Sequence, residues 1–161
     1  MVPEEEYLRT SFSGLDQEYR DGELVERSIP DYLHGKTQLR SGGFFGARSK
    51  THKLFSTTET RLRLRPGRYL IPDVSVFWPD EPTAAIPEIR PLITIEILSP
   101  DDRMSEVREK LQEYVDWGVP HVWLVDPRTR TLYECRDGLH EVSSFSIPEA
   151  GLKVSPADIF D

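Results

Sequence analysis

The chain has 161 residues, 37% of them hydrophobic and 30% charged, with a net charge of −8. No run approaches the roughly 20 apolar residues of a membrane-spanning helix, and the acidic opening "MVPEEEYLRT" lacks the basic-then-apolar order of a secretory leader. The only thiol, Cys135, excludes an intrachain disulfide, so the expectation is one soluble, cytoplasmic domain over residues 1–161, large enough for a real core.

In chain order, "LDQEYRDGELVERS" leads through the Asp21-Gly22 turn into a strand near 23–27. "HGKTQLRSGGFFGARSKTH" predicts a short helix over 34–40, then a loop opened by Gly42, Gly43 and Gly46. Residues 34–68 carry nine Lys or Arg against the single acid Glu59, a local charge of +8, while the remainder carries −16. Such asymmetry fits either an anion-facing surface or a set of bases paired with the acidic remainder on folding. "STTETRLRLRP" alternates, with Arg61, Arg63 and Arg65 on one face and Leu62 and Leu64 on the other, and predicts one half-buried strand.

"YLIPDVSVFWP" predicts a second strand, and "PLITIEILSP" a third, apolar on both faces except for Thr94 and Glu96 and therefore central. The clearest helix runs over 102–117, capped by Ser99, Asp101 or Asp102 and stopped at Gly118. Met104, Val107, Leu111, Tyr114 and Val115 form its core stripe. Lys110 falls about 40° outside that stripe, a rim position from which an amine reaches over the sheet. "HVWLVDP" and "TLYECRDG" complete the pattern as fourth and fifth strands. The order implies a mixed α/β sheet with helical cover and a right-handed crossover between the third and fourth strands.

Glu96 is the anomaly. A lone ionised carboxylate is costly to bury, so it needs a partner or an ion. Asp73, on the neighbouring predicted strand, would repel it unless a cation intervened. A hard divalent ion such as Mg2+ takes one or two carboxylates together with water and phosphate oxygens. There it lowers the pKa of bound water and clamps a phosphodiester, while Lys110 would stabilise developing negative charge. Each residue also has a plainer reading: Pro-Asp as a turn, and Lys110 as a helix-edge lysine with its stem buried. Other patterns are weaker. Ser99, His121 and Asp126 lack a nucleophile elbow, the four histidines lack zinc spacing, and "SGGFFGARSKTH" lacks a phosphate-loop ending.

"IPDVSVF", "ITIEILSP", "EKLQEYVDWGV" and "HVWLVDP", with "DGELVERS" and "LHGKTQ" upstream, together resemble the Uma-type restriction endonuclease family of the PD-(D/E)XK nuclease superfamily, over roughly residues 16–140. The resemblance implies a restriction-endonuclease-like fold, α/β with a mixed central sheet and flanking helices. It also implies DNA phosphodiester hydrolysis with Mg2+ or Mn2+ held by Asp73 and Glu96. Leu98 stands where the superfamily usually has its lysine, and Lys110 from the following helix takes that role. The family's upstream acid and histidine fall on Glu23, as a third, water-mediated ligand, and on His34, which would orient a water or touch phosphate; either could equally be a surface residue. Lys36, Arg61, Arg63 and Arg65 would contact the DNA backbone. By analogy such nucleases act as pairs, with Trp78 and Trp117 at a homodimer interface. Two alternatives remain: an inactive nucleic-acid-binding or regulatory module of the same fold, and a protein-interaction partner with no nucleic-acid affinity.

Overall fold

The structure, a computed structural model, describes residues Met1–Asp161. Its elements are α1 (Glu4–Arg9), β1 (Glu18–Arg20), β2 (Glu23–Val25), α2 (Tyr32–Gly46), α3 (Ser49–His52), β3 (Phe55–Thr58), β4 (Leu62–Arg65), β5 (Arg68–Leu70) and β6 (Val74–Phe77). They continue with β7 (Ile93–Ile97), α4 (Met104–Trp117), β8 (His121–Asp126), β9 (Thr131–Cys135), β10 (Leu139–Val142), β11 (Phe145–Ile147), β12 (Leu152–Val154) and α5 (Pro156–Phe160). A six-stranded sheet has the order β10-β9-β8-β7-β6-β3, and a four-stranded sheet the order β2-β1-β5-β4. Only β7 and β8 pair in parallel, and α4 is the crossover between them. The mixed α/β sheet with flanking helices is the architecture the sequence predicts.

All five residues of β7 are buried because both faces of the sheet are covered. Ile93, Ile95 and Ile97 join Phe45, Leu54, Val74, Val76 and Trp123 in the larger core, on the side of α2. Leu111 and Tyr114 of α4 pack with Val122 and Leu124 in a second core on the opposite face. The pleat alternates side chains, so Thr94 and Glu96 point toward α4. Gly118 ends that helix at φ 102°, its N–H bonded to the carbonyls of Tyr114 and Val115. Its start departs from expectation. The N-cap position is Arg103, without a side-chain cap, while Asp102 accepts the Ser99 N–H and the Ser28 hydroxyl. Met104, assigned to the core stripe, is 40% exposed at that open end.

Two further expectations change. The helix predicted over 34–40 runs on through its glycines to Gly46. The Asp31 carboxylate caps it at the His34 N–H (2.9 Å), and buried Thr37, Ser41 and Phe45 seat it on the sheet. Tertiary packing outweighs the roughly 1 kcal/mol per glycine of lost helix propensity. The strands predicted at 56–66 and 69–79 each divide in two. The chain turns at Glu59, which has φ 51°, so β3 lies in the large sheet and β4 in the small one. Ile71, Pro72 and Asp73 likewise separate β5 from β6. Asp73 therefore sits where the chain passes from one sheet to the other.

Candidate active site

Four acidic or basic side chains from different elements meet under α4. Glu18 from β1, Asp73 just before β6, Glu96 in β7 and Lys110 in α4 all line one cavity of about 280 Å3. The carboxylates are 2%, 5% and 8% exposed respectively, far below what an acid tolerates without partners. The Lys110 ammonium donates to Glu18 Oε2 (2.7 Å), the Ile71 carbonyl (2.9 Å) and Glu96 Oε1 (3.1 Å). Its three donors are thus all used. The Tyr114 hydroxyl donates to Glu96 Oε2 (3.1 Å), and the Ile71 N–H and Arg20 guanidinium donate to Glu18.

Asp73 is held asymmetrically. Its Oδ2 accepts the Ile97 N–H at 2.7 Å, a short bond to the strand. Its Oδ1 has two longer contacts, to His34 Nε2 and Arg27 Nη2, each at 3.3 Å. Arg27 is more firmly bound at its other end, with Nη1 2.8 Å from Glu59 Oε1. Gln38 of α2 donates to the Asp73 carbonyl (2.9 Å), which fixes the backbone at this corner.

Burial pushes the Glu96 carboxyl up, and repulsion from Asp73 and Glu18 adds to it; Lys110 opposes both, and the result is about 8. Burial alone would also raise Asp73, but the His34 bond and charge, Lys110 and the Ile97 amide hold it below the usual carboxylate range. Burial would depress Lys110; the three carboxylates outweigh it and keep the amine protonated. Lys110 is therefore a fixed positive charge and no general base.

Of the residues expected at a site, Asp73, Glu96, Lys110 and His34 converge on this cavity. Glu23 does not: it is exposed on β2, outside the cavity lining. Glu18, which pairs with Val25 across the β1–β2 hairpin, supplies the third carboxylate instead. Sequence reasoning also passed over Arg27, and it placed Tyr114 in the core stripe only. The available signal was alternation, since Glu18 and Arg20 share the face of β1 opposite buried Tyr19.

The arginine stripe is differently employed from the expectation. Arg61 makes two bonds to Asp16 and two more to the Tyr7 and Thr10 carbonyls. Arg63 pairs with Glu88 and Glu4, and Arg65 with Asp21. Lys36 is half-buried on α2 and makes no ion pair. Trp78 is 36% exposed, and Trp117 is half-buried against the core under α4.

No three His, Cys, Asp or Glu side chains are arranged to enclose an ion alone. The donor set nevertheless fits a hard divalent cation. Two carboxylates face one polar cavity, burial and then the Asp73 and Glu18 charges push the Glu96 carboxyl up to about 8, and Asp73 Oδ1 is held only by two 3.3 Å contacts. Mg2+ completes such a set with water and phosphate oxygens. No helix is long and apolar enough to cross a membrane.

No curated protein matches the chain. The crystal structure of "a putative nuclease belonging to DUF820" from Anabaena variabilis ATCC 29413 is 25% identical, with a TM-score of 0.84 over 99% of this chain and 98% of that one. The cryoEM structure of a DrdV–DNA complex is 16% identical over 74% of this chain and 10% of that one, at a TM-score of 0.40, too slight to bear on function. The Uma2 family model, described as "Putative restriction endonuclease", matches residues 4–160, and the chain belongs to that family.

Proposed function

We propose that the protein is a divalent-metal-dependent endonuclease, acting on DNA phosphodiesters as a single domain. One observation carries the reading: two buried carboxylates, Asp73 and Glu96, face the same cavity as the Lys110 ammonium, which Glu18 and Glu96 hold in place. Asp73 and Glu96 would hold the ion. When bound, Mg2+ or Mn2+ supplies an acidified water and a clamp on phosphate oxygens. Lys110, fixed by Glu18 and the Ile71 carbonyl, directs positive charge at the phosphate as negative charge develops there. His34, on the cavity wall, is in reach of a water or phosphate oxygen beside Asp73.

The nucleic-acid track runs along α2 and α3 in this reading. Arg61, Arg63 and Arg65 are consumed by acids, whereas Lys36, Arg40, Lys50 and Lys53 have no ion-pair partner. One cavity per chain cuts one strand, so cleavage of both strands calls for two copies.

Nicking of supercoiled plasmid in Mg2+ or Mn2+ tests the proposal. Wild type should nick, and chelation should stop it. Asp73→Asn and Glu96→Gln should lose nicking while keeping the wild-type circular dichroism spectrum. A specific observation favours the rival, an inactive binding module: Arg27 and His34 already contact Asp73. That rival predicts salt-sensitive DNA association indifferent to Asp73, Glu96 and metal.

A further inference from the structure

The strongest unassigned group in the cavity is Arg27. It follows β2 in a stretch without regular structure, its side chain is 9% exposed, and it lines the cavity. Its two ends are held unequally, at 2.8 Å to Glu59 and 3.3 Å to Asp73 Oδ1. The weaker contact falls on the one Asp73 oxygen that the strand does not hold, and it is shared with His34. Glu59 presents its carboxylate from a left-handed backbone (φ 51°), a conformation of order 1 kcal/mol unfavourable for a residue with a side chain.

Resting on the nuclease reading, we propose that Arg27 is a substrate-binding residue parked on Asp73. Its guanidinium satisfies Asp73 Oδ1 through the 3.3 Å contact. Giving that oxygen up to an ion would cost Arg27 and His34 one 3.3 Å contact each and would break no short bond. Glu59 retains the other edge of the fork, and the freed N–H groups turn to a non-bridging phosphate oxygen of the nucleic acid. Arginine suits this exchange because its planar donors match carboxylate and phosphate oxygens equally well and its charge is permanent. The same guanidinium therefore competes with the metal and then assists the substrate.

The proposal separates two variants that a merely structural ion pair would not. Arg27→Gln removes the competing charge. Glu59→Gln leaves that charge and removes its anchor, so Arg27 leans harder on Asp73. Both break the same pair, and a structural pair predicts that both act in one direction. Mn2+ alone, titrated calorimetrically into each protein, should bind Arg27→Gln about fivefold tighter than wild type and Glu59→Gln more weakly. With Ca2+ as a non-cleaving ion, a short labelled duplex should bind Arg27→Gln about tenfold more weakly, and Arg27→Lys should recover part of the loss. Equal Mn2+ affinity in all proteins, or a shift of both variants in one direction, overturns the role of Arg27. Unchanged duplex binding in Arg27→Gln overturns it too. A wild type that binds no Mn2+ overturns the nuclease reading and this role together.

Discussion

Lys110 shows how one amine organises three acids. Its removal leaves Glu18, Glu96 and Asp73 facing one another in a buried space, and uncompensated charge of that kind costs about 3–5 kcal/mol. Lys110→Ala should therefore lose stability of that order in urea denaturation at neutral pH, and less in mild acid. Glu96→Gln should behave oppositely. The neutral amide removes a charge that burial, Asp73 and Glu18 all disfavour, but it accepts from only one of Lys110 and Tyr114, so stability should change by less than about 1 kcal/mol while metal binding is lost. The pH dependence has a definite sign. Glu96 titrates near 8 when folded against 4.5 ordinarily, so the folded chain keeps a proton that the unfolded chain releases. Its contribution to stability is full below 4.5 and declines as pH rises through about 8. Asp73 and Glu18 are shifted downward and contribute above the ordinary carboxylate range, losing that contribution in acid. On the metal-dependent reading, binding would expel the Glu96 proton, so divalent-ion affinity should rise about tenfold per pH unit up to about 8, measurable by calorimetry in buffers of different ionisation enthalpy. Asp73, Glu96 and Lys110 were legible because each interrupts or edges an apolar pattern. Glu18 and Arg27 were harder to read: alternation sets Glu18 opposite Tyr19, but charged residues in polar surroundings do not announce that packing will cover that face too.

At the scale of elements, the central strand, the crossover helix and its glycine stop were readable from periodicity and capping. The long α2 was not, because glycines that read as a loop are tolerated where a helix lies close on a sheet. A Cβ at Gly46 would come within 3.3 Å of Ser56 Oγ, and one at Gly42 within 3.5 Å of the Thr58 methyl. Gly35, by contrast, faces open space. Gly35→Ala should raise stability by about 0.5–1 kcal/mol, and thermal melting will check it. Gly118→Ala should lower it by about 1–2 kcal/mol, since the position combines φ 102° with an Arg90 Nη1 only 2.5 Å from the new carbon.

Across the molecule, charge separation in the sequence overstated the free basic surface. Four of the nine bases between 34 and 68, Arg61, Arg63, Arg65 and Arg68, are joined to acids that lie outside that segment. Pairing partners distant in sequence are invisible before the chain folds. If Lys36, Arg40, Lys50 and Lys53 are the phosphate contacts, the logarithm of duplex affinity should fall with the logarithm of salt at a slope of about −3.6. Lys50→Ala should lower that slope by about 1, whereas Arg61→Ala should lower the melting temperature and leave the slope alone. The second sheet also escaped sequence reading, because a strand that changes sheets midway keeps its alternation across the bend.

That change of sheets has one more consequence. Lys110 bolts an acid of the small sheet to an acid of the large one, so the two sheets must dock before these side chains meet. A version trimmed past Arg20 would retain Asp73, Glu96 and Lys110 yet leave the amine with a loose end. Such a shortened chain should sit silent on nucleic acid, with every residue of its remaining triad intact.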